Sequence, residues 1–164
     1  MTEEEAVRAL RGDDANAAAV AANALWETWH ASGSPEIDKV LRRGIEAMER
    51  GDLLAAEALF TDIIRRAPDF AEGWNKRATA RYLGSNHAAA VADCEEVLAR
   101  KPHHFGALSG QGLCHMALGE HRKAADLFRR TLEVYPHLEA AQRNLAAALG
   151  EIVKGNGHTP SPHS

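Results

Sequence analysis

Residues 69–102 read DFAEGWNKRATARYLGSNHAAAVADCEEVLARKP, two amphipathic stretches with a break between them and a stop at the end. Trp74, Ala78 and Tyr82 recur at four-residue steps, which places them in one stripe along a helix. Gly84, Ser85 and Asn86 interrupt that stripe with turn-forming residues, and a second helical pattern then runs to Pro102. Proline has no N–H to donate and restricts its predecessor, so it ends the second helix and aims the chain onward.

Outward from this stretch the pattern repeats. Pro68, Pro102 and Pro136 stand 34 residues apart in both steps. The same spacing aligns Gly44, Ala78 and Gly112, then Ala56, Ala90 and Ala124. It also aligns Phe60, Cys94 and Phe128, and Ile64, Leu98 and Leu132. Five columns in register over three units mark a tandem array of helix pairs. Within each unit the small residues allow the two helices to approach closely, and residues 60, 94 and 128 fill the space one turn later. The turns Gly51-Asp52, Gly84 to Asn86 and Gly119-Glu120 supply a glycine for the left-handed position. Asp or Asn there can cap the next helix.

The W-x2-x-A…A-x3-C…P arrangement of Trp74, Ala78, Ala90, Cys94 and Pro102 resembles the tetratricopeptide repeat (TPR). DFAEGWNKRAT and HFGALSGQG are also similar to segments of small TPR proteins of proteobacteria and photosynthetic organisms. The resemblance implies an all-α, right-handed α-solenoid with units at 37–70, 71–104 and 105–138. Residues 1–36 read as a degenerate N-terminal helical repeat, with a second helix at 15–31 whose Trp26 and Trp29 pack on the first full unit. Residues 139–153 read as a capping helix with apolar Ala141, Leu145, Ala148, Leu149 and Ile152, and 154–164 as a disordered tail.

In this family the first helix of each pair lines a concave groove that receives a peptide or helical segment. By the resemblance, groove contacts fall on Arg42, Ile45 and Met48, then Asn75, Lys76, Thr79 and Tyr82. Ser109, Leu113 and Met116 continue the surface, followed by Arg143 and Asn144. The family's carboxylate clamp for Hsp70 and Hsp90 tails needs Lys, Asn and Arg where this chain has Leu41, Ile45, Gly106 and Gly110, so that co-chaperone role is disfavoured. Gly106 and Gly110 lie one turn apart on the groove face and leave a smooth patch, open either to a partner backbone or to the chain's own N-terminal segment.

Arg77 and Arg81 sit where the repeat expects an apolar residue and an aromatic. Arg77 aligns with Arg43 and Gln111, a polar column that suggests a structural ladder, with Glu57, Asp93 and Glu96 as candidate partners. Arg81 has no such column and stays open between an ion pair and a ligand contact.

The expected function is a non-catalytic protein–protein interaction module acting as adaptor or assembly factor. The alternative is a scaffold or homodimer built through the solenoid edges, where Trp26, Trp29 and the 139–153 helix would be exposed. The chain has 164 residues, 45% hydrophobic and 26% charged, with a formal net charge of −4 and no basic stripe, which disfavours a nucleic-acid partner. There is no Gly-rich phosphate loop, GxSxG or HExxH, so neither catalysis nor a cofactor is expected. The nine histidines lack ligand spacing, and surface positions at repeat turns are expected for them rather than a metal site. No apolar run is long enough to span a bilayer, and the acidic start lacks the features of a secretory signal. Cys94 and Cys114, without a CxxC motif, read as buried free thiols. Together these features suggest the cytoplasm or another reducing compartment such as plastid stroma.

Overall fold

A computed structural model describes residues 1–156. Its described residues form nine α-helices and no strand: α1 Glu3–Leu10, α2 Ala15–His30, α3 Pro35–Glu49, α4 Leu53–Arg66, α5 Ala71–Leu83, α6 His87–Arg100, α7 Phe105–Ala117, α8 His121–Val134 and α9 Glu139–Asn156. Helices α3 and α4, α5 and α6, and α7 and α8 form hairpins. Successive hairpins stack through α4 on α5 and α6 on α7, and α9 closes the array against α8.

The columns read from the sequence explain this packing. A side chain at Gly44 would collide with the Phe60 ring, and one at Gly112 with the Phe128 ring. Both rings are fully buried, as are Ala56, Ala90 and Ala124. Small residues on the first helix thus admit a ring from the second, and the ring fills the space so that no void remains. In the middle hairpin Ala78 and Cys94 form the equivalent contact at smaller volume.

The turns depart from expectation at one place. Gly51 and Gly119 carry the left-handed backbone, with φ of 79° and 74°. In the middle turn it falls on Ser85, at φ 63°, and not on Gly84. Ser85 is the residue in the 34-residue register with Gly51 and Gly119, so topology overrides the local preference for glycine. Asp52 caps α4 by accepting the Ala55 amide N–H at 3.2 Å, whereas Asn86 makes no such side-chain bond to α6.

Both arginines of the opening stretch are structural. Arg77 is bidentate on Asp93, with Nε to Oδ2 at 3.0 Å and one terminal nitrogen to Oδ1 at 2.8 Å. Arg81 joins the same Asp93 at 3.1 Å and Glu57 at 2.8 Å. Asp93 is only 2% exposed, so these pairs satisfy a charge that would be costly to bury alone. Glu96 instead pairs with Arg100 on its own helix. The expected ladder reduces to Arg77, because Arg43 is exposed and makes no ion pair among the described residues.

The N-terminal hairpin requires a correction. Helix α2 does not stack on α3, and Trp26 and Trp29 do not pack on the first full unit. Instead Ala6, Leu10, Ala18, Ala21, Leu25 and Trp29 share one core with Phe105, Leu108, Val134 and Tyr135. Periodicity reports which face of α2 is apolar, but not where that face docks. Two large indoles require a deep apolar site, which the start of α7 provides. At the other end α9 reaches Asn156, three residues past the expected limit of the cap, with Ala148, Leu145 and Ile152 packed around Phe128. The remainder of the expected tail, 157–164, lies outside the described residues.

Candidate functional site

The first helices α3, α5 and α7 present the face that the resemblance assigns to the groove, and α2 lies across its N-terminal end. Trp26 is seated where a Gly106 side chain would be, at 2.6 Å from that Cβ position. Lys76 places its ammonium 5.8 Å from the centre of the Trp26 ring. His30 approaches Glu72 at 3.7 Å, and Ser32 just beyond the helix donates its hydroxyl to Asp38 at 2.6 Å.

Beneath this cover is a buried polar cluster. Glu72 and His104 are both fully buried. The His104 Nδ1 accepts the Ala107 amide N–H at 3.0 Å and so caps α7. The proton therefore sits on Nε2, which donates to Glu72 Oε1 at 2.6 Å. The Asn75 amide donates to both Glu72 oxygens, at 3.4 and 3.2 Å. Burial pushes the Glu72 pKa up, but the His104 hydrogen bond and the neighbouring cationic groups outweigh it and hold the carboxyl below its ordinary range. Trp29 stacks on His104 with ring centres 4.2 Å apart. Its indole N–H donates to Glu3 at 3.1 Å, and Lys101 reaches the same carboxylate at 2.8 Å. His137 adds a bond from Nε2 to the Gly12 carbonyl at 2.7 Å.

The C-terminal half of the groove is open. Between α5 and α7 lies a slot of about 260 Å³ lined by Asn75, Ala78, Thr79, Tyr82, Leu83, Cys94, Gly106, Gly110, Leu113 and Cys114. Its walls are mostly apolar and its floor is made of small residues. Both cysteines are free and buried. Burial raises both thiols, Cys114 to about 11 and Cys94 further, which leaves them unionised and poor nucleophiles.

Of the residues expected in the groove, Asn75, Thr79, Tyr82 and Leu113 come together in the slot. Arg42 and Ile45 line a separate recess beside Glu27 and His30 of α2. Lys76 stands under Trp26, between the two regions. Met48 packs against the α3–α4 core, and Met116 against the core around Phe128. Ser109 is half-buried outside the slot lining, as is Asn144, and Arg143 is exposed 3.9 Å from Glu139. Leu83, which follows Tyr82 on the same helix end, also lines the slot, and the two cysteines, expected only as buried thiols, are slot residues the groove pattern does not reach. The expected surface placement of the histidines fails at His104 and His115, which are buried, and nothing in the sequence separates His104 from the exposed His103 beside it. Among the described residues no group of three or more His, Cys, Asp or Glu side chains converges as a metal site would require. No helix among them is long and apolar enough to cross a membrane.

A family model described as tetratricopeptide repeat matches residues 41–105 and again 85–139. The chain belongs to the tetratricopeptide repeat family. A TPR repeat-containing protein of Rhizobium etli is 33% identical over 146 residues, which cover 89% of this chain and 71% of that protein. Among solved structures, the TPR domain of Aspergillus fumigatus Sgt2 is similar with a TM-score of 0.72 at 24% identity, covering 80% of this chain and 88% of that one. The first TPR of Spaghetti (RPAP3), solved with an HSP90 peptide bound, has a TM-score of 0.70 at 21% identity, with coverage of 71% and 93%. At these identities the two structures speak for the TPR fold alone. Helices α1 and α2, which the family model does not reach, are the part of this TPR protein that covers its own groove.

Proposed function

We propose that the protein is a TPR interaction module, an adaptor or assembly factor that binds a segment of a partner protein in the open half of its groove. The observation that carries this reading is the slot between α5 and α7, which stays open while α2 covers the other half of the same face. A mostly apolar concavity flanked by a few polar groups is the usual form of a recognition site. At about 260 Å³ it is small for a metabolite and suits part of a peptide chain. No acid–base pair or activated nucleophile lines it, so the reading is non-catalytic.

A photo-crosslinking residue at Thr79, exposed in the slot, tests the reading against the same residue at Leu54, which is 85% exposed on α4. The expected result is a discrete partner adduct from position 79 that Leu113→Glu removes. Equal adducts from both positions, or none from position 79, would remove the groove as the site. Peptides ending in acidic chaperone tails belong in the competition panel, since related folds bind them.

Self-association is the second reading. With Trp29 buried and Trp26 seated on Gly106, the surface that favours it is the outer face of α9, where Leu149 and Val153 are 38% and 70% exposed. Sedimentation that shows a monomer at all concentrations would exclude it.

A further inference from the structure

The helical glycines differ in what holds them to that identity. Gly44 and Gly112 are required by the Phe60 and Phe128 rings, and a Cβ at Gly73 would meet Ile63 at 2.8 Å. Gly106 is required by Trp26. Gly110, on the same face of α7 one turn later, is required by nothing among the described residues. A Cβ there would meet only the Cys94 sulfur, at 4.0 Å, which is ordinary contact. A glycine in a helix interior weakens the helix relative to alanine, and here no internal packing offsets that loss. What the missing Cβ does achieve is space, since Gly110 lines the slot.

We propose that Gly110 forms the floor of a socket for one bulky apolar side chain of a partner segment, which seats on it as Trp26 seats on Gly106. The proposal rests on the groove reading above and names the chemistry of its occupant. Three observations support that choice. The socket continues an interface the protein already makes, because Gly106 belongs both to the α2 contact and to the slot lining. The shape fits an anchor residue: Ala78, Cys94, Cys114 and Gly110 form a low floor between the walls of Tyr82 and Leu113. The local charge fits an acidic neighbour to that anchor. The groove acids Asp38 and Glu72 are committed to Ser32 and to His104 and Asn75, whereas Lys76 and Arg42 have no carboxylate within 4.0 Å among the described residues. Glu27 stands beside Arg42 in its own recess, and Glu49 ends α3, whereas Lys76 adjoins the slot residue Asn75 in sequence and lies on the Trp26 side of the socket. The partner segment therefore carries a Leu, Met, Phe or Trp anchor with an Asp or Glu beside it.

The test is selection of random-sequence peptides on the full chain, followed by titration of the best binder. The expected binders share one large apolar residue flanked by an acid. Gly110→Leu should lower their affinity by about 10- to 100-fold, since it fills the site of one buried apolar side chain. Lys76→Glu should weaken them several-fold and relax the acidic preference. Gly110→Ala serves as the fold control, because it should raise Tm by about 2–4 °C while weakening binding. Peptides with no shared apolar anchor, or an affinity unchanged by Gly110→Leu, overturn the socket. If the Thr79 crosslink persists in Gly110→Leu, the groove reading stands and the socket alone fails. If neither a crosslink nor a selected peptide is found, both fall. A dimer that Gly110→Leu dissociates, or a rise in peptide affinity on truncation after Asn156, would identify the occupant as a second copy or as the chain's own end and so overturn the partner.

Discussion

The two halves of the groove are built from the same helices and treated in opposite ways. At the N-terminal end, Gly106 is covered by Trp26, the polar groups beneath are paired, and Glu72 is fully buried. At the C-terminal end, Gly110 lines the open slot, Thr79 is exposed and the thiols lie in the slot lining. Each half depends on one buried carboxylate. Glu72 ties α5 to α7 beneath the hairpin, and Asp93 ties α6 to the arginines of α5 beside the slot. A short solenoid can thus complete part of its surface with its own helix and leave the remainder for another chain.

The largest expected effect comes from Glu72→Ala, which leaves His104 and Asn75 as buried groups without their acceptor. Urea denaturation should show a loss of about 3 kcal/mol. Hydrogen exchange should rise more in α1 and α2 than in α3 and α4. A uniform rise would show that the hairpin is not a separate unit. Acid should act in the same direction. The folded Glu72 pKa is lowered from 4.5, so its contribution is complete above that value and is lost as pH falls through the lower folded one. Glu3, lowered by its bonds to Lys101 and Trp29 despite partial burial, adds to the same window. Glu72→Gln should therefore flatten the stability profile below about pH 4.5.

Asp93→Ala should cost about 2–3 kcal/mol, because it leaves Arg77 and Arg81 half-buried with Glu57 alone between them. Its exchange increase should centre on α5 and α6, and an increase confined to α1 and α2 would contradict the division of the groove. The paired glycine substitutions sharpen the comparison most directly, since they should have opposite signs. Gly106→Ala collides with Trp26 and should cost about 1 kcal/mol, with a change in tryptophan emission, whereas Gly110→Ala should gain about 0.5–1 kcal/mol. Equal signs in thermal melts would end the distinction. The smallest effect is Ser85→Gly, which relieves a left-handed φ of 63° and should gain about 0.5 kcal/mol without altering either half.

The fold was legible because its determinants recur. Pro102, Ala90 and Ala78 each had counterparts at a fixed spacing, and helix stacking depends on such local, repeated contacts. Arg77 was legible for a related reason: a cation on a packed face must find a carboxylate, and Asp93 stood on the adjoining helix. The site was less legible. Asn75 lines the slot as expected but also donates to the buried Glu72, and Met48 and Met116 pack partly against the helix cores.

What the sequence by itself determined is therefore the set of helices, their pairing and the faces they bury, all of which follow from residue spacing. What only the tertiary structure decided is where α1 and α2 dock, and hence which half of the groove is available. That docking joins residues as distant in sequence as Glu3 and Lys101, a single non-repeated contact set. No periodicity encodes such a contact. It depends on the shape and polarity of a surface that exists only after the repeats have stacked.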